Sequence, residues 1–292
     1  GQNITSKEQI NDILGPTDAG QTNEFTLLSP SGKTLQQTFT SKEMTRNTVL
    51  HSSVIDTSFG KTGYLVLNSF IEKTSGEIYE AFKNFSQQNI DNIIIDLRYN
   101  GGGILNKANE LADYIIDDGN IGEIFAKIMH NDKKQNQNYL HRFKQDSLSL
   151  NMSFSSVYFI TTRSTASASE ALINGLKPYM NVYLIGNQTY GKPVGMYGFH
   201  DNKDYYAFIP VCFRIANAND VADYYEGIEV DIQERDDITH AFGNPEEACL
   251  KQALNHINNG SFIQTKKIPD SEEPLLGPTY RREMIKFNPN QE

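Results

Sequence analysis

The stretch NIIIDL, residues 92–97, constrains the fold more than any other, because four of its six side chains are large and aliphatic and do not alternate with polar ones. A strand that is apolar on both faces is buried on both faces, the condition of a parallel sheet covered by helices. Its neighbours repeat the theme. GYLVLNSF (63–70), SVYFITT (156–162) and NVYLIG (181–186) read as strands. Between them, TSGEIYEAFKNFSQQ (74–88) carries Ile78, Phe82 and Phe85 at helical spacing. ILNKANELADYII (104–116) sets Leu105, Ala108, Leu111, Ala112 and Ile115 on one side, and SASEALINGL (167–176) reads as a third helix. Strand and helix alternate, which predicts an α/β layer fold.

Other segments depart from that rhythm. FAKI within 118–152 reads as a short strand, but HNDKKQNQNYLHRFKQDSLSLN is long and polar, and a stretch of that kind is expected to serve as a lid over a cleft. YYAFIPVCFRIAN (205–217) is β-like. NPEEACLKQALNHINNG reads as a helix capped by Asn244, with Pro245 in its first turn and Gly260 as terminator. The first fifty residues give one helix, SKEQINDIL, with Ser6 and Gln9 at capping-box spacing, and one hairpin around SPSG. One helix and one hairpin cannot enclose a core, so this segment reads as the tail of a domain. The last thirty residues read as an extended tail.

The formal net charge of -10, without clustered Lys and Arg, argues against nucleic acid as a partner. No apolar run approaches the length of a membrane span, and no signal peptide is visible at the polar start GQNITSKEQ. The two cysteines, Cys212 and Cys249, lack CxxC or zinc spacing and read as buried thiols, with a disulfide left open. The histidines are scattered, so neither a metal nor another cofactor is expected.

Two constellations could support chemistry. In IIIDLRYNGGG (93–103) a buried strand ends in three glycines ahead of a helix. The spacing is not that of a phosphate loop. A tight strand-to-helix turn and an oxyanion-binding loop both remain open, with Gly101, Gly102 and Gly103 in it and Gly102 as the candidate donor. Asp96 and Arg98 share a strand face and are expected to pair or to brace that loop. The second constellation is TASASEALINGLKPYMNVYLIGNQTYGKPVG (165–195). Ser167 and Glu170 fit a capping box, which would make the serine a helix cap. The alternative is a nucleophile, with the amide of Ala168 at the developing oxyanion. None of His130, His141 or His200 is marked as its base. Lys192, in a turn after a buried strand and next to Gly191, is better placed, since burial can lower an amine pKa enough to make it a base.

Taken together, DLRYNGGG, STASASE and TYGKP resemble the carboxyl-terminal processing (tail-specific) proteases, the S41 serine peptidases, in a style similar to the Bacteroides-like branch. The resemblance covers roughly residues 48–258 and includes YYEGIEVDI (224–232), with Val230 where the family usually has proline. It implies a ClpP/crotonase-like α/β core at 48–262, the C-terminal part of a PDZ-like domain at 1–47 and a tail at 263–292. It implies a serine endopeptidase with Ser167 as nucleophile, Lys192 as base and the amides of Gly102 and Ala168 as oxyanion hole. Asp96, Arg98, Gly101, Gly103, Glu170 and Gly191 would be supporting residues. It further implies protein or peptide substrates lying along a strand edge near Thr189–Met196, and a place in the bacterial periplasm or cell envelope. One departure is Met196, where many members have a glutamine that orients the lysine; it favours the alternative of a weak or inactive peptide-binding scaffold.

Overall fold

The computed structural model describes residues 19–28, 32–43, 46–145, 152–201 and 206–264. The chain divides into two compact units, residues 1–46 and 47–292. In the first, β1 (Thr22–Leu28) and β2 (Thr34–Thr40) form the expected hairpin, with Thr22 opposite Thr40 and Leu28 opposite Thr34. Phe25 and Phe39 meet edge to face across it, 5.6 Å between ring centroids. The helix read in residues 6–14 lies outside the described residues, as does most of the extended tail.

The second unit begins with the hairpin β3 (Val49–Thr57) and β4 (Gly60–Leu67), followed by α1 (Thr74–Gln88), β5 (Asn92–Asp96) and α2 (Leu105–Asp113). Next come β6 (Ile124–Met129), β7 (Tyr139–Arg142), β8 (Ser156–Thr161), α3 (Ala168–Leu176) and β9 (Asn181–Gly186). β10 (Val194–Met196), β11 (Phe199–Asp201), β12 (Tyr206–Phe208), β13 (Val211–Ala216), β14 (Ile232–Gln233) and α4 (Ala248–Asn259) complete it. Six strands form one sheet in the order β14-β9-β8-β5-β4-β3. Every pair is parallel except the edge pair β3–β4.

The continuous apolar run predicted at 92–97 lies in the middle of this sheet, and successive residues feed opposite cores. Leu65, Leu67, Ile93, Ile95, Val157 and Phe159 point into the larger core beneath α1–α3. Tyr64, Val66, Ile94, Tyr158 and Ile160 point to the smaller core, closed by Leu250, Ala253 and Ile257 of α4. Strand geometry demands this division, because neighbouring side chains leave a strand on opposite faces. Ile78, Phe82 and Phe85 of α1 are fully buried, each contributing roughly 1.5–3 kcal/mol of apolar burial.

The polar stretch within 118–152 is not structureless: residues 130–138 form turns and one short 3-10 helix, and Tyr139–Arg142 is a strand. β6 and β7 pair antiparallel in a second sheet, ordered β10-β13-β6-β7. One face of that sheet suffices for packing: Phe125, Ile128 and Ile215 enter the larger core, while β7 stays mostly exposed and so reads as polar. Contact with α3 is close, since a Cβ at Gly175 would lie 2.6 Å from the Phe125 ring. Residues 146–151 of that stretch lie outside the described residues. The cap assigned to Asn244 is also corrected. Its side chain accepts from Glu246 N in a preceding turn, and Glu247 caps α4 by accepting from Leu250 N at 2.8 Å. Gly260 ends α4 in a left-handed conformation, φ 68°. Cys249 is buried and Cys212 half-buried, both as free thiols.

Candidate active site

Three loops leave the carboxyl ends of the adjacent parallel strands β5, β8 and β9. Asp96 pairs with Ile160 and Ile160 with Ile185, so these ends are in register. At about 4.8 Å between neighbours, the outer two strands lie only ~10 Å apart. The glycine loop follows β5, the Ser167 loop follows β8, and the Lys192 turn follows β9. Residues up to 96 positions apart in sequence, Asp96 and Lys192, are thus brought to one edge by sheet order alone.

The glycine and serine loops are laced through Asn100, which is fully buried. Its side chain donates to Leu67 O at 3.0 Å and accepts from Gly102 N at 3.0 Å. Its carbonyl accepts from Ala166 N at 3.1 Å and Ser169 Oγ at 3.0 Å. Thr165 Oγ1 adds a bond to Leu97 O at 2.8 Å. Gly102 has φ +98°, and a Cβ there would lie 2.8 Å from both Ala168 N and Ser167 Cβ. Glycine is therefore required on two grounds, conformation and contact. Gly103, φ +136°, has the same need against Phe70 O.

Ser167 itself has φ 59° and ψ -114°, a sparsely populated conformation for a residue with a Cβ. Strain of this kind persists only where the surroundings over-determine it. Those surroundings centre on Glu170, whose residue is completely buried in the first turn of α3, where the helix dipole favours negative charge. Its carboxylate accepts four hydrogen bonds. One oxygen receives Ser167 N at 2.9 Å and Lys192 N at 2.8 Å. The other receives Thr189 Oγ1 at 2.6 Å and Gly191 N at 2.7 Å. The expected cap is present, but it also bridges the serine loop to the lysine turn. Tyr190 N to Thr165 O, 2.9 Å, fastens the same two segments.

Lys192 is half-buried, and burial lowers its amine pKa, with the Glu170 charge pulling partly the other way. The turn is backed by the YYEGIEVDI segment. A Cβ at Gly191, φ +96°, would lie 2.2 Å from Tyr225 O, and Ile228 N donates to Thr189 Oγ1 at 2.7 Å. Ala168 N, the first amide of α3, has no hydrogen-bond partner among the described residues. Gly102 N, by contrast, is engaged by Asn100.

Asp96 and Arg98 do pair, with Arg98 Nη2 to Asp96 Oδ2 at 2.6 Å. Their partners beyond that are not in the glycine loop. Arg98 Nη1 reaches Asp236 Oδ1 at 2.7 Å and Glu247 Oε1 at 2.8 Å, and Tyr64 OH donates to Asp96 at 2.8 Å. This cluster ties the end of β5 to the cap of α4. Burial pushes the carboxyls of Asp236 and Glu247 upward in pKa, opposed by the guanidinium. His130 bonds Tyr197 OH and Asn138, and His141 lies on β7, so neither belongs to these three loops.

Residues 61–210, just over half of the chain, match the model of Peptidase family S41, and both Ser167 and Lys192 fall inside the match. The chain belongs to peptidase family S41. Among solved S41 folds, that of a protein assigned to the S41 proteases from Bacteroides fragilis NCTC 9343 superposes with TM-score 0.72 at 25% identity. The match covers 82% of this chain and 67% of that one. The photosystem II D1 C-terminal processing protease shares the fold, with TM-score 0.53 at 22% identity over 74% of this chain and 56% of its own. In sequence, a protein of Staphylococcus epidermidis described as a CtpA-like serine protease is 31% identical over 149 residues, 51% of this chain and 29% of that relative. A Staphylococcus aureus counterpart is 30% identical over 135 residues, covering 46% and 26%. The chain thus spans less than a third of the length of these curated relatives. No helix of the described residues is long and apolar enough to cross a membrane.

The three-loop region contains two residues that the sequence alone does not mark. Asn100 laces the glycine loop, and Thr189 relays Glu170 to Ile228. The signal for the first was an Asn directly before three glycines; for the second there was none, since a lone threonine after a strand carries no pattern.

Proposed function

We propose that this S41 member is a serine endopeptidase of the carboxyl-terminal processing type. Ser167 Oγ attacks a peptide carbonyl while neutral Lys192 accepts its proton. The tetrahedral intermediate collapses as lysine returns that proton to the leaving amine, and water then hydrolyses the ester by the same route. Ala168 N–H stabilises the oxyanion; Gly102 N–H joins it by sharing or exchanging its bond to Asn100. The observation that supports this reading is the single Glu170 oxygen shared by the backbone N–H groups of Ser167 and Lys192, which couples nucleophile and base across 25 residues of chain. Substrate would lie along β10, the free edge of the second sheet, which begins two residues after Lys192. On this reading residues 1–47 are the end of a PDZ-like domain, 48–262 the peptidase core and 263–292 a tail, and the site of action is the bacterial periplasm or cell envelope.

Hydrolysis of an unfolded polypeptide tests the proposal. Ser167→Ala and Lys192→Ala should each lower kcat by about 1,000-fold or more. Equal rates in all three proteins would reject it and favour the scaffold alternative, for which Met196 is the supporting residue. The rate should rise with pH and level off below the ordinary lysine value of 10.5, because the base works only when unprotonated.

A further inference from the structure

The segment 67–71, which joins β4 to α1, carries Gly102 on its main chain. Phe70 N donates to Gly102 O at 3.0 Å, and Phe70 O accepts from Ile104 N at 2.7 Å. Phe70 and Gly103 form an isolated parallel bridge, so close that a Cβ at Gly103 would lie 2.1 Å from Phe70 O. Leu67 O accepts from the Asn100 side chain, which in turn accepts from Gly102 N. Both polar groups of Gly102 are thus referred to one segment, the carbonyl directly and the amide through Asn100. The first turn of α1 holds that segment. Thr74 opens the helix and is fully buried. A hydroxyl at a helix start ordinarily accepts from an N–H of the first turn. Thr74 Oγ1 turns back instead, accepting from Ile71 N at 2.9 Å and donating to Ser69 O at 3.1 Å. One turn on, Glu77 accepts from Thr48 N at 2.6 Å, Thr48 Oγ1 at 2.7 Å and Val49 N at 2.9 Å, and Thr48 O accepts from Asn68 N at 2.8 Å.

The two bonds of the Thr74 hydroxyl fall on the same two peptide units that hold the glycine loop. The Ser69–Phe70 unit gives its C=O to Thr74 and its N–H to Gly102 O. The Phe70–Ile71 unit gives its N–H to Thr74 and its C=O to Ile104 N. A peptide unit is planar, so fixing one end sets the direction of the other. We propose that Thr74 is a positioning residue for the oxyanion site: its hydroxyl sets the tilt of both units, and through them the place of Gly102 beside Ser167 and Ala168. The inference rests on the peptidase reading of those residues. It requires little movement, because a Cβ at Gly102 would lie 2.8 Å from both Ala168 N and Ser167 Cβ, and the loop therefore has no slack on that side. Lys192 is not on this path. It is held by Glu170 from the β9 side, so its protonation is independent of Thr74.

Three variants test it, with an unfolded polypeptide as substrate. Thr74→Val and Thr74→Ala lack the hydroxyl, and Thr74→Ser keeps it while losing the methyl. Thr74→Ala and Thr74→Ser differ by the hydroxyl alone, so that pair decides the matter even where Thr74→Val fails to fold. The hydroxyl-free variants should lower kcat about 10- to 100-fold with KM unchanged, the scale of a small misplacement of a reacting group. Their rising pH limb should stay where the parent has it. Thr74→Ser should restore kcat to within a few-fold of the parent, although urea midpoints show it destabilised by the lost methyl. Amide NMR, recorded in the Ser167→Ala background where no turnover intervenes, should show shifts at Phe70 and Ile71 that extend to Gly102–Ile104 in Thr74→Ala and not in Thr74→Ser. With a parent faster than Ser167→Ala, equal kcat in Thr74→Ala and Thr74→Ser would overturn the inference alone. So would a kcat that follows the urea midpoint and not the hydroxyl, a displaced pH limb, or shifts that stop at Ile71. A parent no faster than Ser167→Ala would reject the peptidase reading, and the catalytic role of Thr74 with it, whatever the amide shifts.

Discussion

Glu170 and Arg98 are both buried charges at the carboxyl edge of the same sheet, yet they are satisfied in opposite ways. Glu170 accepts four hydrogen bonds, three from backbone N–H groups and one from a hydroxyl, and forms no ion pair among the described residues. Arg98 faces three carboxylates, and the Asp236 Oδ2 atom among them has no partner among the described residues. The first arrangement fixes backbone: the Ser167 and Lys192 segments are held by one acceptor, three of whose four donors are main-chain N–H groups that no side-chain substitution removes. The second fixes elements: a strand end is clamped to a helix cap by side chains, with more negative charge than the guanidinium can neutralise. A positioning device is expected to be sensitive in activity, and an over-supplied clamp in its response to pH.

The largest break in that contrast should come from Glu170→Gln. One of the two oxygens becomes an NH2 facing existing N–H donors, so at least two bonds are lost at a cost of about 3 kcal/mol or more. On the proposed mechanism kcat should fall about 100- to 1,000-fold with KM little changed, since the Ser167 and Lys192 segments are disturbed and the proposed substrate edge at β10 is not. The pH–rate profile adds a readout that a merely structural role would not move. The Glu170 charge raises the Lys192 pKa. Removing it lowers that pKa further, so the rising limb of the residual activity should move to lower pH.

Arg98→Met should come next, with about 3–5 kcal/mol lost in urea denaturation at neutral pH, because breaking a buried pair leaves uncompensated carboxylates. The loss should shrink as pH falls, since Asp236 and Glu247 already have carboxyl pKa values pushed upward by burial and protonate readily. A loss independent of pH would mean that Arg98 acts through packing and not through charge. Gly102→Ala should follow, at roughly 1–3 kcal/mol of backbone strain. Its activity loss should exceed its stability loss, because the new Cβ would lie against Ser167 and Ala168 N.

This contrast also separates what was legible in the sequence from what was not. The apolar run at 92–97 pointed to a strand buried on both faces, and the helical patterns alternating with it and its neighbours pointed to a parallel sheet. Ser167 and Lys192 could be named because each belongs to a local pattern, a serine ahead of a helix and a glycine-flanked lysine after a strand. Glu170 could be read as a cap from three-residue spacing. Its link to Lys192 could not, since it depends on β8 and β9 being neighbours. The partners of Arg98 were likewise hidden: Asp236 and Glu247 are 138 and 149 residues away, in segments whose own spacing marks only a loop and a helix start. The strands at 124–142 were hidden for a different reason, because a sheet with one exposed face needs few apolar residues.

The smallest expected effect is the finest probe of the clamp. Asp236→Asn keeps an oxygen for Arg98 Nη1 and removes one of three buried negative charges. Burial raises the Asp236 pKa above its ordinary 3.8. The folded protein therefore binds more protons than the unfolded chain between those two values, so this group makes stability fall as pH rises through that window. The asparagine cannot titrate. Stability at neutral pH should change by less than about 1 kcal/mol, the scale of one net hydrogen bond. The downward slope above pH 3.8, followed by urea midpoints at closely spaced pH, should flatten. An unchanged slope would place the titration on Glu247 instead, and the same measurement on Glu247→Gln would then show the larger flattening, together with the loss of the α4 cap to Leu250 N.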